Sequence, residues 1–391
     1  MKKRTFLLSA LLACLLPALP LAGCAFTPPE AVTGGVQFTA LQQSDGWNYG
    51  GSGPDGFYFV SADCREDGST NLLYLDYATG QQVYLCSQPN CSHDTDACTS
   101  YLPYSAGGIL SSVVGDRLVL VFPGNLQGAA GTGTVLPHIE TMGLDGSDRK
   151  TTVTFGANQV ISRPLVTDGQ YLYTRLSTTA EDGSFTAQLV RIDPDGGEPE
   201  ALCDLNQEWL KGGACSRLIL WDTDQTYVAY DPATGERTTL YQAEDALFTS
   251  NLFGSTLAYL QDGVFHLLDV TTGEDKVLSG YQVSEEEKPC ISILDADEDH
   301  LIFRLENSGS STYSMLTADQ PPQPWNLVYS AGGTDMPYAR ITPVGDDRYL
   351  VVAGQDSPQG SGLQEGPYAV TGAPQYRLMS QEDYWNGIVP K

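Results

Sequence analysis

The sequence predicts an all-β protein, a β-propeller of seven blades, because one two-part phrase recurs along almost its whole length. In its clearest form the phrase reads NLLYLDYATGQQVYLC (71–86), TYVAYDPATGERTTLY (226–241) and GVFHLLDVTTGEDKVL (263–278). A strand ends in Asp, a Thr-Gly turn follows, and another strand leaves. The Asp side chain bonds its own backbone and the Gly supplies the positive φ that closes the turn. Turns of this kind centre near 76–80, 143–147, 193–197, 231–235, 269–273, 317–321 and 371–372. Each is paired with a strand phrase: DGFYFV (55–60), GDRLVLVF (115–122), DGQYLYT (168–174), SRLILW (216–221), GSTLAYL (254–260), DHLIFR (299–304) and DDRYLVVA (346–353). A repeat of about 40–50 residues with several strands cannot bury both faces of its small sheet alone; stacking copies around an axis does. Hairpins with Asp-Gly turns also occur in β-sandwiches, and it is the sevenfold recurrence that favours the ring. The intervals 80–143 and 321–371 are loosely patterned, so six or eight blades bracket the count.

The elements follow in chain order. Lys2, Lys3 and Arg4 precede an apolar run interrupted by Pro17 and Pro20 and closed by Leu-Ala-Gly-Cys at 21–24. A cationic start, an apolar core and small residues before a cut site mark residues 1–23 as an export signal. An uncleaved anchor would need about 20 mostly apolar residues, and the two prolines weaken that reading. The Leu-Ala-Gly-Cys pattern resembles the lipobox of bacterial lipoproteins, and this resemblance implies lipidation of Cys24 and a cell-membrane location facing the extracytoplasmic side. Residues 24–34 form a Pro- and Gly-rich tether that spans about 40 Å at most. Residues 35–391 form a single propeller domain. GVQFTAL (35–41) is expected to add an outer strand to the last blade and close the ring, and a short helical piece is expected within 205–211.

The chain carries 20 basic and 48 acidic residues, a net charge of −28. Loss of residues 1–23 removes three cations and no acid. So acidic a body repels phosphates, which excludes nucleic acid as a partner and favours a soluble monomer.

Four ligand-type residues crowd into CSQPNCSHDTDAC: Cys86, Cys91, His93 and Cys98. Three thiolates and an imidazole match a closed tetrahedral zinc site, structural because no position is left for water. In an oxidising exterior, Cys86–Cys91 or Cys91–Cys98 could instead form a disulfide staple; the spacing leaves both open. Pro89-Asn90 supplies the turn in this loop. Cys203 and Cys215 could bridge blades three and four, while Cys64 and Cys290 have no assigned role. Asp295, Asp297 and Asp299 alternate as in calcium loops, without the Gly and distal Glu of a full one. His138, His266 and His300 read as structural. The chain holds no Gly-x-Ser-x-Gly elbow, no His-Glu-x-x-His and no phosphate-cradling Gly-rich loop with Lys, so no catalytic residue is nominated. The five tryptophans, Trp47, Trp209, Trp221, Trp325 and Trp385, suit either a sugar or peptide site or packing between blades.

In repeat texture and in the closing YRLMSQEDYWNGIVP, the chain resembles exported propeller lipoproteins of Gram-positive anaerobes, themselves similar to TolB-like and quinoprotein-like propellers. The cysteine loop is similar to an element of that group. The reading is a lipid-anchored binding or scaffolding module for a protein, peptide or glycan at the cell envelope. The alternatives are a glycoside-acting or quinone-dependent propeller enzyme and a purely structural envelope lipoprotein.

Overall fold

The computed structural model describes residues 37–40, 50–61, 63, 65–103, 109–123, 135–243, 250–307, 309–331, 333–356 and 373–389. Among these, antiparallel sheets follow one another around a ring as seven blades. Blade one runs outward from the axis through Gly50–Ser52, Gly56–Val60, Thr70–Asp76 and Gln82–Tyr84. Blade three uses Gln159–Thr167, Leu172–Thr179, Phe185–Ile192 and Glu200–Asp204. Blade four uses Glu208–Ala214, Arg217–Asp222, Thr226–Tyr230 and Arg237–Gln242. The second strand of every blade overlaps one of the seven strand phrases.

The repeated turn has the chemistry its residues imply. In blade one the Asp76 carboxylate accepts from the Thr79 backbone N–H at 2.7 Å, and Gly80 N–H donates to Asp76 O at 2.8 Å. Asp231 with Gly235 and Asp269 with Gly273 repeat this arrangement, each Gly at φ 70–76. That left-handed backbone is open to glycine without strain.

Seven apolar clusters fill the seven junctions between neighbouring blades. Most second strands therefore bury both faces and read as nearly continuous apolar runs rather than alternations, blade three's Leu172–Thr179 being the polar exception. In Arg117–Phe122, Leu118 and Leu120 enter the cluster shared with blade one, while Val119 and Val121 enter the one shared with blade three. The ring closes where Phe57, Phe59 and Tyr77 of blade one meet Leu350, Val352 and Tyr376 of blade seven.

Two sequence expectations are corrected. Thr39–Ala40 does not join the last blade; it pairs with the inner strand of blade three, Thr39 opposite Thr167 and Ala40 opposite Val166. Phe38 N–H donates to Cys215 O at 2.7 Å, and the Phe38 ring meets Tyr173 edge-on. The slot exists because Gly213 has no side chain: a Cβ there would lie 2.7 Å from Phe38 Cβ. The segment within 205–211 is not helical, since Glu208–Ala214 is the inner strand of blade four and Leu210 enters the core. The helix lies instead at Gln381–Trp385, capped by the Ser380 hydroxyl accepting from Asp383 N–H. It follows the third strand of blade seven, Ala373–Ser380, where other blades turn into a fourth strand. The expected turn at 371–372 lies outside the described residues, as do Cys24 and Cys64.

Candidate metal centre in the first blade

The outer strand of blade one ends at Tyr84, and the chain returns as Tyr101–Leu102 to pair with Thr70 and Asn71 at the start of the third strand. The intervening loop is thus pinned to one strand at both ends. Asn90 and His93 both take left-handed backbone, φ 59 and 58, which folds the loop back on itself. For His93 the cause is visible. Its carbonyl accepts from Arg65 Nη2 at 2.8 Å and from Asn71 Nδ2 at 2.9 Å, and these charge-assisted and neutral bonds offset the backbone strain.

This folding brings Cys86, Cys91, His93 and Cys98 together, their Sγ and nitrogen atoms all within 4.8 Å of one another. His93 Nδ1 lies 3.2 Å from Cys98 Sγ. Among the described residues no other group of three or more His, Cys, Asp or Glu side chains converges in this way. Cys98 is buried and its thiol donates to Ser100 Oγ at 3.6 Å; Ser100 in turn accepts from Asn71 Nδ2 at 2.9 Å. The imidazole stacks on Tyr84, centroids 4.3 Å apart. All three cysteines are free thiols. Cys86 and Cys91 are shifted in opposite directions. Burial raises the Cys86 thiol, yet hydrogen bonds from the Gln88 backbone and from Cys98 and Cys91 bring it below its ordinary value. The His93 backbone lowers Cys91, but burial and its thiol neighbours leave it raised.

The donor set fits zinc. Ligand atoms about 2.0–2.3 Å from one ion lie roughly 3.3–3.8 Å apart, so the four need contract by only about 1 Å. Four protein ligands close the coordination sphere, which suits a structural ion and leaves no site for an activated water. The sequence pattern identifies the four donors but not their support. Arg65, Asn71 and Ser100 lie outside the cysteine run, and only the pairing of Asn71 with Tyr101 brings them beneath it.

The aspartates at 295, 297 and 299 do not assemble a calcium site. Asp295 is buried against Arg340 and Tyr384, at 2.6 and 2.7 Å. Asp297 accepts from the backbone N–H groups of Asp299 and His300, and Asp299 pairs with Lys276. The histidines are held in pairs: His138 stacks on Phe122, His266 on Tyr259 beside Asp275, and His300 on Trp385 beside Asp297. Cys203 receives a hydrogen bond from Arg237, and Cys215 occupies a turn at φ 49; both are free thiols, so no bridge joins blades three and four.

No protein-family model and no curated protein matches the chain. Solved structures resemble it in fold. A prolyl endopeptidase is 10% identical, with 81% of this chain and 46% of that one covered and a TM-score of 0.49. Dipeptidyl peptidase 4 of Porphyromonas gingivalis is 9% identical over 83% and 57%, at 0.42. TolB from Acinetobacter baumannii is 14% identical over 68% and 62%, at 0.35. The chain thus spans about half the length of the two peptidases. At these identities the likeness concerns the fold alone.

Proposed function

We propose that the protein is a lipid-anchored, extracytoplasmic β-propeller that binds a protein, peptide or glycan at the cell envelope, with a structural zinc in its first blade. The observation that supports binding is a set of aromatic side chains held half in solvent at the loop-bearing ends of the blades: Tyr84, Phe185 and Trp209, 47%, 56% and 40% exposed. Large rings left in water on a rigid scaffold are recognition chemistry, since their area is available at little conformational cost. Zinc would fix the loop that follows Tyr84 by tying His93, on which Tyr84 stacks, to three cysteines. The anchor rests on Leu-Ala-Gly-Cys at 21–24.

A panel of short peptides and cell-wall glycans, scored in parallel for binding by calorimetry and for turnover by mass spectrometry, tests the reading. Saturable binding with the ligand recovered intact supports it. Conversion of any panel member to product overturns it in favour of an enzyme.

A further inference from the structure

The side of blade three that packs on blade four carries a short ladder of cross-strand neighbours. Val160, Ser177 and Ala187 form one rung; Ser162, Arg175 and Leu189 form the next one inward; Thr179 and Phe185 pair at the rim. Ala187 and Leu189 enter the apolar cluster shared with Leu210 and Leu218 of blade four. Arg175, on the same side of the sheet, therefore points into that junction, and only 5% of its surface is exposed.

Its surroundings are unusual for a buried cation. The guanidinium carbon lies 3.8 Å from the centre of the Trp209 ring and 5.4 Å from that of Phe185. Nη1 donates to Ser177 Oγ at 2.9 Å, and the buried Nε–H has no acceptor. Arg149, Arg217 and Arg340, also held largely away from solvent, each meet a carboxylate at 2.6–2.9 Å. Among the described residues Arg175 meets none, in a chain of 48 acids and 20 bases. Leaving a buried charge unpaired is costly, and a cation–π contact returns only part of that cost. Burial accordingly pushes the guanidinium below its ordinary value.

We propose that Arg175, Trp209 and Phe185 form a binding site for the free C-terminal carboxylate of a peptide that ends in an apolar residue. The proposal rests on the binding role given above and deepens it. The Trp209 ring lies over the guanidinium with Phe185 near it, and the Nε–H edge is left for recognition. Nε–H and a neighbouring Nη–H are parallel donors that match the two oxygens of one carboxylate. Phe185, more than half in solvent, is the wall that moves to admit it. The rim is apolar, formed by Phe185, Trp209 and Val160, the last 48% exposed. That lining suits an aliphatic side chain beside the carboxylate. The hydroxyls of a sugar acid would each need a partner there, and the ammonium of a free amino acid would need an acceptor.

The test uses the full-length protein and three probes followed by Trp fluorescence and calorimetry: acetyl-Gly-Leu with a free carboxylate, the same peptide as its amide, and glucuronate. The free acid is expected to bind at least about tenfold more tightly than the amide, since the charge-assisted pair is lost in the latter. Arg175→Met should abolish that preference, and Arg175→Lys, which keeps the charge but not the paired donors, should retain only part of it. Should Arg175→Met fail to fold, the wild type still decides: the acid must raise its melting temperature and the amide must not. Acid and amide binding within about twofold of each other, or neither binding at about 10 mM, a concentration at which even a weak pair registers, overturns this site while leaving the wider binding role to its own panel. Glucuronate binding as tightly as the free acid overturns the peptide assignment.

Discussion

Removing the cation from the junction of blades six and seven should cost more stability than removing both charges. Asp295, on the inner strand of blade six, is 5% exposed. It accepts from Arg340 Nη2 at 2.6 Å and from the Tyr384 hydroxyl at 2.7 Å, while Arg340 also donates to Ala296 O at 2.8 Å. Burial pushes the Asp295 carboxyl up against the pull of Arg340, so losing the guanidinium would push it up further. Arg340→Met preserves side-chain bulk and leaves a carboxylate with one hydroxyl and a backbone N–H. Breaking a buried pair in this way costs about 3–5 kcal/mol. At about 2.1 cal/mol/K per residue, a chain of 391 residues unfolds with roughly 0.8 kcal/mol/K, so the melting temperature should fall by about 4–6 °C. Asp295→Leu with Arg340→Met should recover most of this, because an apolar pair is nearly neutral in such a site. The sign with pH is set. In Arg340→Met the folded pKa of Asp295 lies above the unfolded value near 4, so the deficit shrinks as pH falls towards that value and grows above it. Scanning calorimetry at about pH 5 and pH 7, on the alkaline side of that value, checks all three expectations. A single variant no less stable than the double variant at neutral pH would refute the reasoning.

Three further outcomes are expected. Protein purified without reductant or chelator should carry about one zinc per chain by elemental analysis, and His93→Ala should lower that content; an intact Cys86–Cys91 or Cys91–Cys98 bridge without metal decides for a staple instead. Labelled fatty acid should enter the wild type and not Cys24→Ala, and unchanged labelling of the variant rejects the anchor. Glu140, Asp275 and Asp297 sit below the ordinary carboxylate range: burial opposes this in each, and His138 with Arg149, His266 with Tyr259, and His300 outweigh it. Their folded values lie below the unfolded ones, so their stabilisation is complete above about pH 5 and lost as pH falls below about 4; a melting temperature unchanged between about pH 6 and about pH 3 rules this out.

What the sequence discloses and what it hides divide along local and non-local lines. The Asp-to-Gly turn is a property of five consecutive residues, so Asp76–Gly80, Asp231–Gly235 and Asp269–Gly273 are readable in advance. Most second strands are equally legible, because two packed neighbours demand apolar residues at successive positions. The partner of Thr39–Ala40 is not legible, because it depends on a slot that Gly213 leaves beside Val166 across a blade junction. The aspartates at 295, 297 and 299 mislead for a related reason. Their alternation suggests a shared ion, whereas Asp295 is claimed by residues 45 and 89 positions away. The cysteine cluster is compact in sequence and so can be named from it, but Arg65 and Asn71, which hold His93 in place, belong to another strand and its approach. Arg175 is the extreme case: one basic residue just past the strand phrase of blade three acquires its meaning only from the register of that blade and the ring that blade four brings over it.

Direction of travel links the two candidate sites. In each blade successive strands run antiparallel, so the loops between second and third strands open on the same face as the connections from one blade's outer strand to the next blade's inner strand. The cysteine loop is such a connection, leaving Tyr84. Phe185 opens the third strand of blade three, and Trp209 stands at the start of the inner strand of blade four. Metal-type ligands, the unpaired guanidinium and the half-exposed rings therefore lie on one rim of the ring. The opposite rim carries the tight Asp-Gly turns, whose carboxylates are occupied with their own backbone. Selection for a stable propeller alone requires good turns and apolar junctions on both rims. Among the described residues, a buried cation that meets no carboxylate and large rings held in water serve neither, and their place on the rim with the longer connections is what the proposed recognition surface would require.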